Sequence, residues 1–304
     1  MTAAALSRYD NPARLSAEDR AAITLRGTAA ARRVAERYGV RVDAPVVLAE
    51  RYALRVHLRP APLVARVSTL TAVLRHPIES WLARELDVTR FLSGRGAPVV
   101  APSDLLPAGP HVEDGLAISF WTYVEPLEGE VPTPDETGQM LAVLHAALRE
   151  YPGELPRLAP PFTDIPRGLA RLARLPDVLP AADLAMLHRA AERLLPAVEP
   201  FMTDLQPLHG DAHAYNLIRT RQGLLWNDFE DTCLGPVAWD LVSFTDPEDR
   251  LPRAYGVVPP PETREAFQRL RLLQGVVWVL ALQPELDEFA SYTAGMLDTL
   301  RALD

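Results

Sequence analysis

Residues 208–231 contain the feature that most restricts the possible fold. The run Leu208-His209-Gly210-Asp211-Ala212-His213-Ala214-Tyr215-Asn216 is followed by Trp226-Asn227-Asp228-Phe229-Glu230-Asp231. Between them, Leu217–Arg219 and Leu224–Asn227 read as a short strand pair. The hairpin turns the chain back, so Asp228 can face Asn216 although it lies seventeen positions after Asp211. An Asp, an Asn five residues on and a second Asp after a hairpin suit phosphoryl transfer. That chemistry needs a carboxylate to orient a hydroxyl, and oxygen ligands to hold Mg²⁺ against nucleotide phosphates.

Elements on either side follow from periodicity. A helix is expected from about residue 16 to Tyr38, stopped by Gly39. Strands are expected at Pro45–Glu50, Arg55–Arg59 and Leu63–Ser68, separated by turns such as Pro60-Ala-Pro62. On the third, Leu63, Ala65 and Val67 share one face, and Val64, Arg66 and Ser68 the other. Ile78–Leu92 reads as a helix with Trp81, Glu85, Val88 and Leu92 in one stripe. Further strands are expected near Pro98–Val100 and Leu116–Val124. After a linker at Glu125–Gly129 the pattern becomes helical, over Pro134–Leu148, Ala181–Val198, Pro261–Leu282 and Pro284–Leu303. The expected fold class is α+β, with a β-rich first lobe (1–124, carrying the extra helix near 16–38) and a helical second lobe (125–304). A cleft is expected between them.

Composition excludes several alternatives. All 31 basic residues are Arg and none is Lys. Schiff-base chemistry, Ser–Lys dyads and G-x-x-x-x-G-K-[ST] phosphate loops are therefore ruled out. A net charge of −9 argues against nucleic acid as a partner. Cys233 is the only cysteine, so no intrachain disulfide forms. It reads as a small buried residue. The first twenty residues lack the apolar stretch of a secretory signal, and no run approaches a membrane span. The expected location is cytoplasmic, as a monomer or homodimer with no membrane partner.

The motif residues closely resemble the aminoglycoside phosphotransferase family, a branch of the protein-kinase-like fold. The likeness extends to Val64-Ala-Arg-Val67, the Trp81–Leu92 helix, the hinge strand Phe120–Val124, Met140–His145 and Gly235–Leu241, covering most of residues 45–245. The resemblance implies a kinase that moves the γ-phosphate of ATP or GTP, with Mg²⁺, to a hydroxyl of a small molecule. It implies Asp211 as catalytic base, Asn216 and Asp228 as metal ligands, and His209 as a structural residue packed near Phe229. It places Arg66 where kinases carry a phosphate-binding Lys paired with a helix Glu. Glu85 is the expected partner, with Glu79 as a competitor. A strand Arg on an open face is the other reading of Arg66. Backbone groups at Tyr123 and Val124 would meet the purine.

Three residues are left with alternatives. His213 is expected to contact substrate or brace its loop. Glu230 is expected to reach a metal or a cationic substrate, or to be a solvated loop carboxylate. Asp231 is expected to be substrate-binding or supporting. With Asp240, and with Asp287 and Glu288 on a second wall, these acids suit a cationic or polyhydroxylated acceptor; an amino sugar, aminoglycoside or amino alcohol is what the resemblance implies. The sequence departs from the family in several respects: it has no Lys, Ala214-Tyr215 stands before Asn216 where many relatives have Pro-Gly, and no Gly occurs between Val46 and Val56. Any phosphate contact from that loop would fall to Arg51 or Arg55. The missing Gly loop and missing Lys motivate an alternative, a catalytically silent nucleotide-binding or scaffold protein of the same fold.

Overall fold

Tight turns at Arg51-Tyr52 and Ala61-Pro62 fold the strand-forming segments back on one another. A computed structural model describes residues 17–129, 131–175, 178–242, 246, 248–282 and 290–303. In it, strands β1 (Val42–Glu50), β2 (Ala53–Pro60), β3 (Leu63–Ser68), β4 (His111–Glu113) and β5 (Leu116–Thr122) form an antiparallel sheet ordered β1-β2-β3-β5-β4. The alternation on β3 sends its two faces to different partners. Leu63, Ala65 and Val67 pack with Ala30, Ala31 and Val34 of helix α1 (Ala17–Arg37). Alanines on that helix face let it lie close to the sheet. Arg33 and Arg37 tie α1 to Glu113 and Asp114 at the β4–β5 hairpin.

On the other face, Val64 packs against Leu86, Val100 and Trp121. Leu86 belongs to α3 (Ile78–Gly94), which follows the one-turn helix α2 (Thr71–Leu74). The stripe Trp81, Glu85, Val88 and Leu92 is buried, as the helical spacing requires. Glu85 is thereby carried inside the protein under β3.

The second lobe is built on helices. α4 (Pro134–Leu148) starts with a capping box between Thr133 and Glu136. α5 (Ala159–Leu172), α6 (Ala181–Ala197) and α9 (Pro261–Leu282) share one core. Ile165 and Leu169 meet Leu187, Leu194, Phe267, Leu273 and Val277 there. The short helices α7 (Ala238–Leu241) and α8 (Arg250–Tyr255) precede α9, and α10 (Ala290–Leu303) follows it. Two two-stranded sheets hold the motif loops: β6 (Gln206–Leu208) with β9 (Cys233–Gly235), and β7 (Leu217–Thr220) with β8 (Gly223–Trp226). No described helix is long and apolar enough to cross a membrane.

Two local expectations change, a third falls partly outside the described residues, and one helix is additional. Residues 98–100 form no sheet strand. They clip onto β8 instead, with Val100 N donating to Trp226 O at 2.8 Å and Trp226 N donating to Pro98 O at 2.8 Å. β5 ends at Thr122, two residues early, because its partner β3 begins at Leu63 and leaves only the Tyr123 N–H to Pro62 O bond beyond it. The final helix is described from Ala290; Asp287 and Glu288 lie outside the described residues. Helix α5 is not among the expected elements; its stretch carries Pro160, Pro161 and Pro166. Pro160 and Pro161 occupy its first turn, where no N–H is needed.

Candidate active site

The loop after β6 is fixed by a buried carboxylate. Asp240 on α7 accepts N–H bonds from His209 (2.9 Å) and Gly210 (3.0 Å), and its Oδ2 lies 3.0 Å from His145 Nε2 on α4. The Trp239 indole N–H donates to Gly210 O at 2.7 Å. Gly210 has φ +89°, and a Cβ there would come 2.0 Å from Asp231 O. Only glycine fits such a left-handed, closely approached position. Asp240, one of the acids expected near a cationic acceptor, is thus fully used in holding this loop.

His209 is completely buried, with its ring 4.7 Å from Phe229 and 5.1 Å from Trp226. Its Nδ1 accepts from Asp211 N (3.3 Å), which leaves Nε2–H to donate to Asn227 O at 3.1 Å. Burial pushes its pKa down, so the ring stays neutral and bridges the two halves of the motif. Asn227 completes the bridge: its N–H and its side-chain amide both donate to Asn216 O, at 3.0 and 2.9 Å. This crosslink brings Asp228 alongside Asn216, as the hairpin spacing requires.

Asp211 stays 38% exposed at its side chain. Its Oδ2 is 3.2 Å from His213 Nε2 and its Oδ1 is 3.5 Å from Arg271 on α9. Asn216 donates to Asp211 O at 2.9 Å. Burial opposes ionisation of Asp211, but His213 and Arg271 outweigh it and hold the carboxyl well below the usual range. His213 moves the other way: burial disfavours its charge, yet Asp211 raises its pKa.

Asp228 sits at φ +64°, a left-handed conformation costing a non-glycine residue about 1–2 kcal/mol. Two guanidiniums hold it, Arg55 at 2.7 Å and Arg66 at 3.1 Å. Burial again opposes the charge, and Arg66 and Arg55 prevail, bringing its pKa down to about 2. Arg55 and Arg66 are direct cross-strand partners on β2 and β3. Like charges opposite one another destabilise a sheet, so this pair needs anions in front of it.

Arg66 is buried and pairs with Glu85 at 2.6 Å, not with Glu79. It also contacts Glu230. Burial pushes the Glu85 carboxyl up to about 7 against the pull of Arg66. Glu230 is 2% exposed, so it is not a solvated loop carboxylate. Arg66 and Arg75 (2.8 Å) take its side chain, and Arg84 donates to its carbonyl at 2.9 Å. Asp231 lies 2.6 Å from Arg75. Burial drives the Asp231 carboxyl well above its ordinary value. Both acids thus border the basin with arginines of the protein already on them.

Sequence reasoning missed Arg75 and Arg271. Arg75 also pairs with Asp164 of α5 (2.9 Å) and lies between the Trp81 and Trp278 rings, 4.6 Å from each centroid. Its signal was an Arg closing the apolar run Leu70–Leu74. Arg271 belongs to a polar break in an apolar helix, where Arg271, Gln274, Gly275 and Trp278 share one face. Cys233 is fully buried, and burial raises its thiol pKa well above normal.

Two clefts meet at this centre. One, of about 330 Å³, is walled by apolar side chains including Leu48, Val64, Trp121 and Ile218, and reaches Tyr123 and Val124. The Tyr123 N–H is spent on Pro62 O at 2.9 Å, and its ring stacks on His57 at 3.7 Å. The other cleft, of about 460 Å³, contains Asp211, His213 and Arg271. They share Arg55, Arg66, Asn227 and Asp228. An apolar slot and a polar basin are thus joined at a cation–carboxylate junction, an arrangement that suits a phosphotransferase.

Known proteins agree with that class. A family model described as the phosphotransferase enzyme family, APH, matches residues 64–276. The chain belongs to this family and is a small-molecule kinase, a phosphotransferase with an alcohol group as acceptor. A thiamine kinase of Escherichia coli O6:K15:H31 is 29% identical over 205 residues, covering 66% of this chain and 71% of that protein. The solved choline kinase LicA of Streptococcus pneumoniae is 14% identical, with a TM-score of 0.64 over 89% of this chain and 97% of that one. An aminoglycoside phosphotransferase of Streptomyces rimosus is 16% identical, with a TM-score of 0.56 over 86% and 99%. These two structural likenesses bear on the kinase-like fold.

Proposed function

We propose that the protein transfers the γ-phosphate of a nucleoside triphosphate, with Mg²⁺, to a hydroxyl of a small acceptor. One observation carries this reading. The cross-strand pair Arg55 and Arg66 faces Asp228 where the apolar slot opens into the basin that holds Asp211. The purine occupies the slot, with the Val124 N–H as hinge donor, since that of Tyr123 is already used. The phosphates lie across the guanidinium pair. Arg forks into phosphate oxygens bidentately, which suits it to the position of the missing Lys.

The donor set fits a magnesium ion. Asp228 is ionised, and Asn216 offers a carbonyl oxygen; two hard oxygen ligands plus phosphate oxygens are a common Mg²⁺ environment. When bound there, the ion supplies charge neutralisation at the phosphates. Asp211 orients the acceptor hydroxyl. The new O–P bond forms as the bond from γ-phosphorus to its bridging oxygen breaks. The nucleoside diphosphate leaves, and the hydroxyl proton passes to Asp211. His209, Asn216 and Asp240 hold this carboxylate in place, and His213 braces it.

Support for the acceptor is uneven. Thiamine and choline, named for the two kinases above, are cations that carry a hydroxyl. Yet Glu230, Asp231 and Asp240, which suggested a cationic acceptor, are engaged by the protein's own groups.

The test is a transfer screen with Mg²⁺ and ATP or GTP over amino alcohols, sugars, amino sugars and hydroxy acids, with Asp228→Ala as blank. Phosphorylated product with wild type alone is expected. No product and no slow nucleotide hydrolysis would favour the catalytically silent alternative.

A further inference from the structure

Four carboxylates border the basin around Asp211, but each already has a cationic partner. Asp228 has Arg55 and Arg66, Glu230 has Arg66 and Arg75, Asp231 has Arg75, and Asp211 has His213 and Arg271. An incoming ammonium would have to share a carboxylate with a cation already on it, or displace that cation. Leaving a buried guanidinium unpaired is strongly unfavourable.

The arginines differ in what remains to them. Arg55 and Arg66 stand at the junction of the two clefts. Arg75 is divided among Asp164, Glu230 and Asp231 and clamped between two tryptophans. Arg271 belongs to the Asp211 side alone. Its side chain is 16% exposed and lies flat over the Trp239 ring at 4.1 Å. One terminal nitrogen donates to Trp239 O at 2.9 Å; the other is 3.5 Å from Asp211, at the long limit of a hydrogen bond. Its Nε is buried with no hydrogen-bond partner among the described residues. Arg66 and Arg75 on the same basin share that feature, so what distinguishes Arg271 is its place on the Asp211 side and its long contact to that carboxylate. Asp211 is shared between Arg271 and His213, so one carboxylate faces two basic groups.

We propose that Arg271 is an acceptor-specificity residue: the acceptor carries a carboxylate, which Arg271 binds while Asp211 engages the hydroxyl. A planar carboxylate matches a guanidinium already fixed flat by stacking. One helical turn on, Gln274 and then Trp278 border the same basin, and Tyr52 meets Trp278 ring to ring at 5.7 Å. A flat apolar body between hydroxyl and carboxylate fits that wall. The proposal rests on the kinase reading of Asp211 and sharpens its substrate to hydroxylated carboxylic acids.

A matched pair of probes tests it: 4-(hydroxymethyl)benzoate and 4-(hydroxymethyl)benzylamine, alike in shape and opposite in charge. Each is titrated calorimetrically into the protein with Mg²⁺ and a non-hydrolysable ATP analogue. Each is also assayed for phosphorylated product by mass spectrometry. The acid should bind about tenfold or more tighter than the amine. Arg271→Gln should bring the ratio near one, and Arg271→Lys should keep an intermediate preference. Nucleotide affinity should stay unchanged in both variants, which also reports on their folding. Equal or tighter binding of the amine, no binding of the acid, or an unaltered ratio in Arg271→Gln overturns the proposal. Acid binding without transfer to any acceptor sinks the kinase reading and leaves Arg271's role intact. Transfer to the amine alone does the reverse.

Discussion

Arg66 and Glu85 meet at 2.6 Å inside the cleft, and the same guanidinium reaches Asp228 at 3.1 Å. One planar group thus joins a helix of the first lobe to the motif loop of the second. A Lys ammonium is a compact point charge and cannot fork between these carboxylates. Arg66→Lys, although it preserves charge, should raise the nucleotide KM about tenfold, the loss of roughly 1.4 kcal/mol of charge-assisted bonding. Steady-state kinetics with both ATP and GTP checks this. An unchanged KM would reduce the Lys-free composition to coding bias.

Asp211 lies outside the slot assigned to the purine. Asp211→Asn should therefore lower turnover by about 10²–10⁴, the usual contribution of a positioned base, with nucleotide Kd little changed. Asp228→Ala should do the opposite first, weakening nucleotide binding in the presence of Mg²⁺. Calorimetric titration beside turnover separates the two. Equal loss of nucleotide binding in both variants would contradict the division of roles.

The His213–Asp211 pair predicts a pH dependence with a definite sign. Burial disfavours charge on His213, but Asp211 raises its pKa above the unfolded value, near 6.5. The pair's stabilisation is fully present below the unfolded pKa and lost as pH rises through the folded one. His213→Gln should therefore destabilise the protein more at pH 5.5 than at pH 8.5, as read from urea denaturation. In Asp211→Asn, the His213 NMR titration should shift to lower pH. A His213 titration unmoved by that substitution would dissolve the pair.

Gly210→Ala should cost about 3 kcal/mol or more, because the methyl would meet Asp231 O at 2.0 Å in a left-handed backbone conformation. Thermal unfolding should show a drop of several degrees. A wild-type Tm would mean that the loop between β6 and β7 yields easily.

Local pattern carried much of the fold. Alternation on β3 and helical spacing at Trp81, Glu85 and Val88 are short-range signals, and each put its residue on the face observed. The hairpin between Asn216 and Asp228 was legible for the same reason. What escaped depends on distant partners. Nothing near Glu230 in sequence announces that Arg66 and Arg75, 164 and 155 positions away, will neutralise it. The acidic run Glu230-Asp231 therefore looked like an electronegative wall. Helix α5 also escaped; two prolines open it, tolerated in a first turn. Its Asp164, which completes the Arg75 network, escaped with it.

The contact between Arg55 and Asp228 gives nucleotide binding the character of an exchange. Asp228 already holds a counterion drawn from the protein itself, so under the proposed function it would trade one cation for another on loading and Arg55 would turn to phosphate. Ion pairs are swapped rather than created, and the net binding energy is the difference between two sets of similar size. The chain thereby carries its own competitive occupant, whose strength is set by one residue on β2. Affinity for nucleotide should be tunable there without touching any group that handles the acceptor.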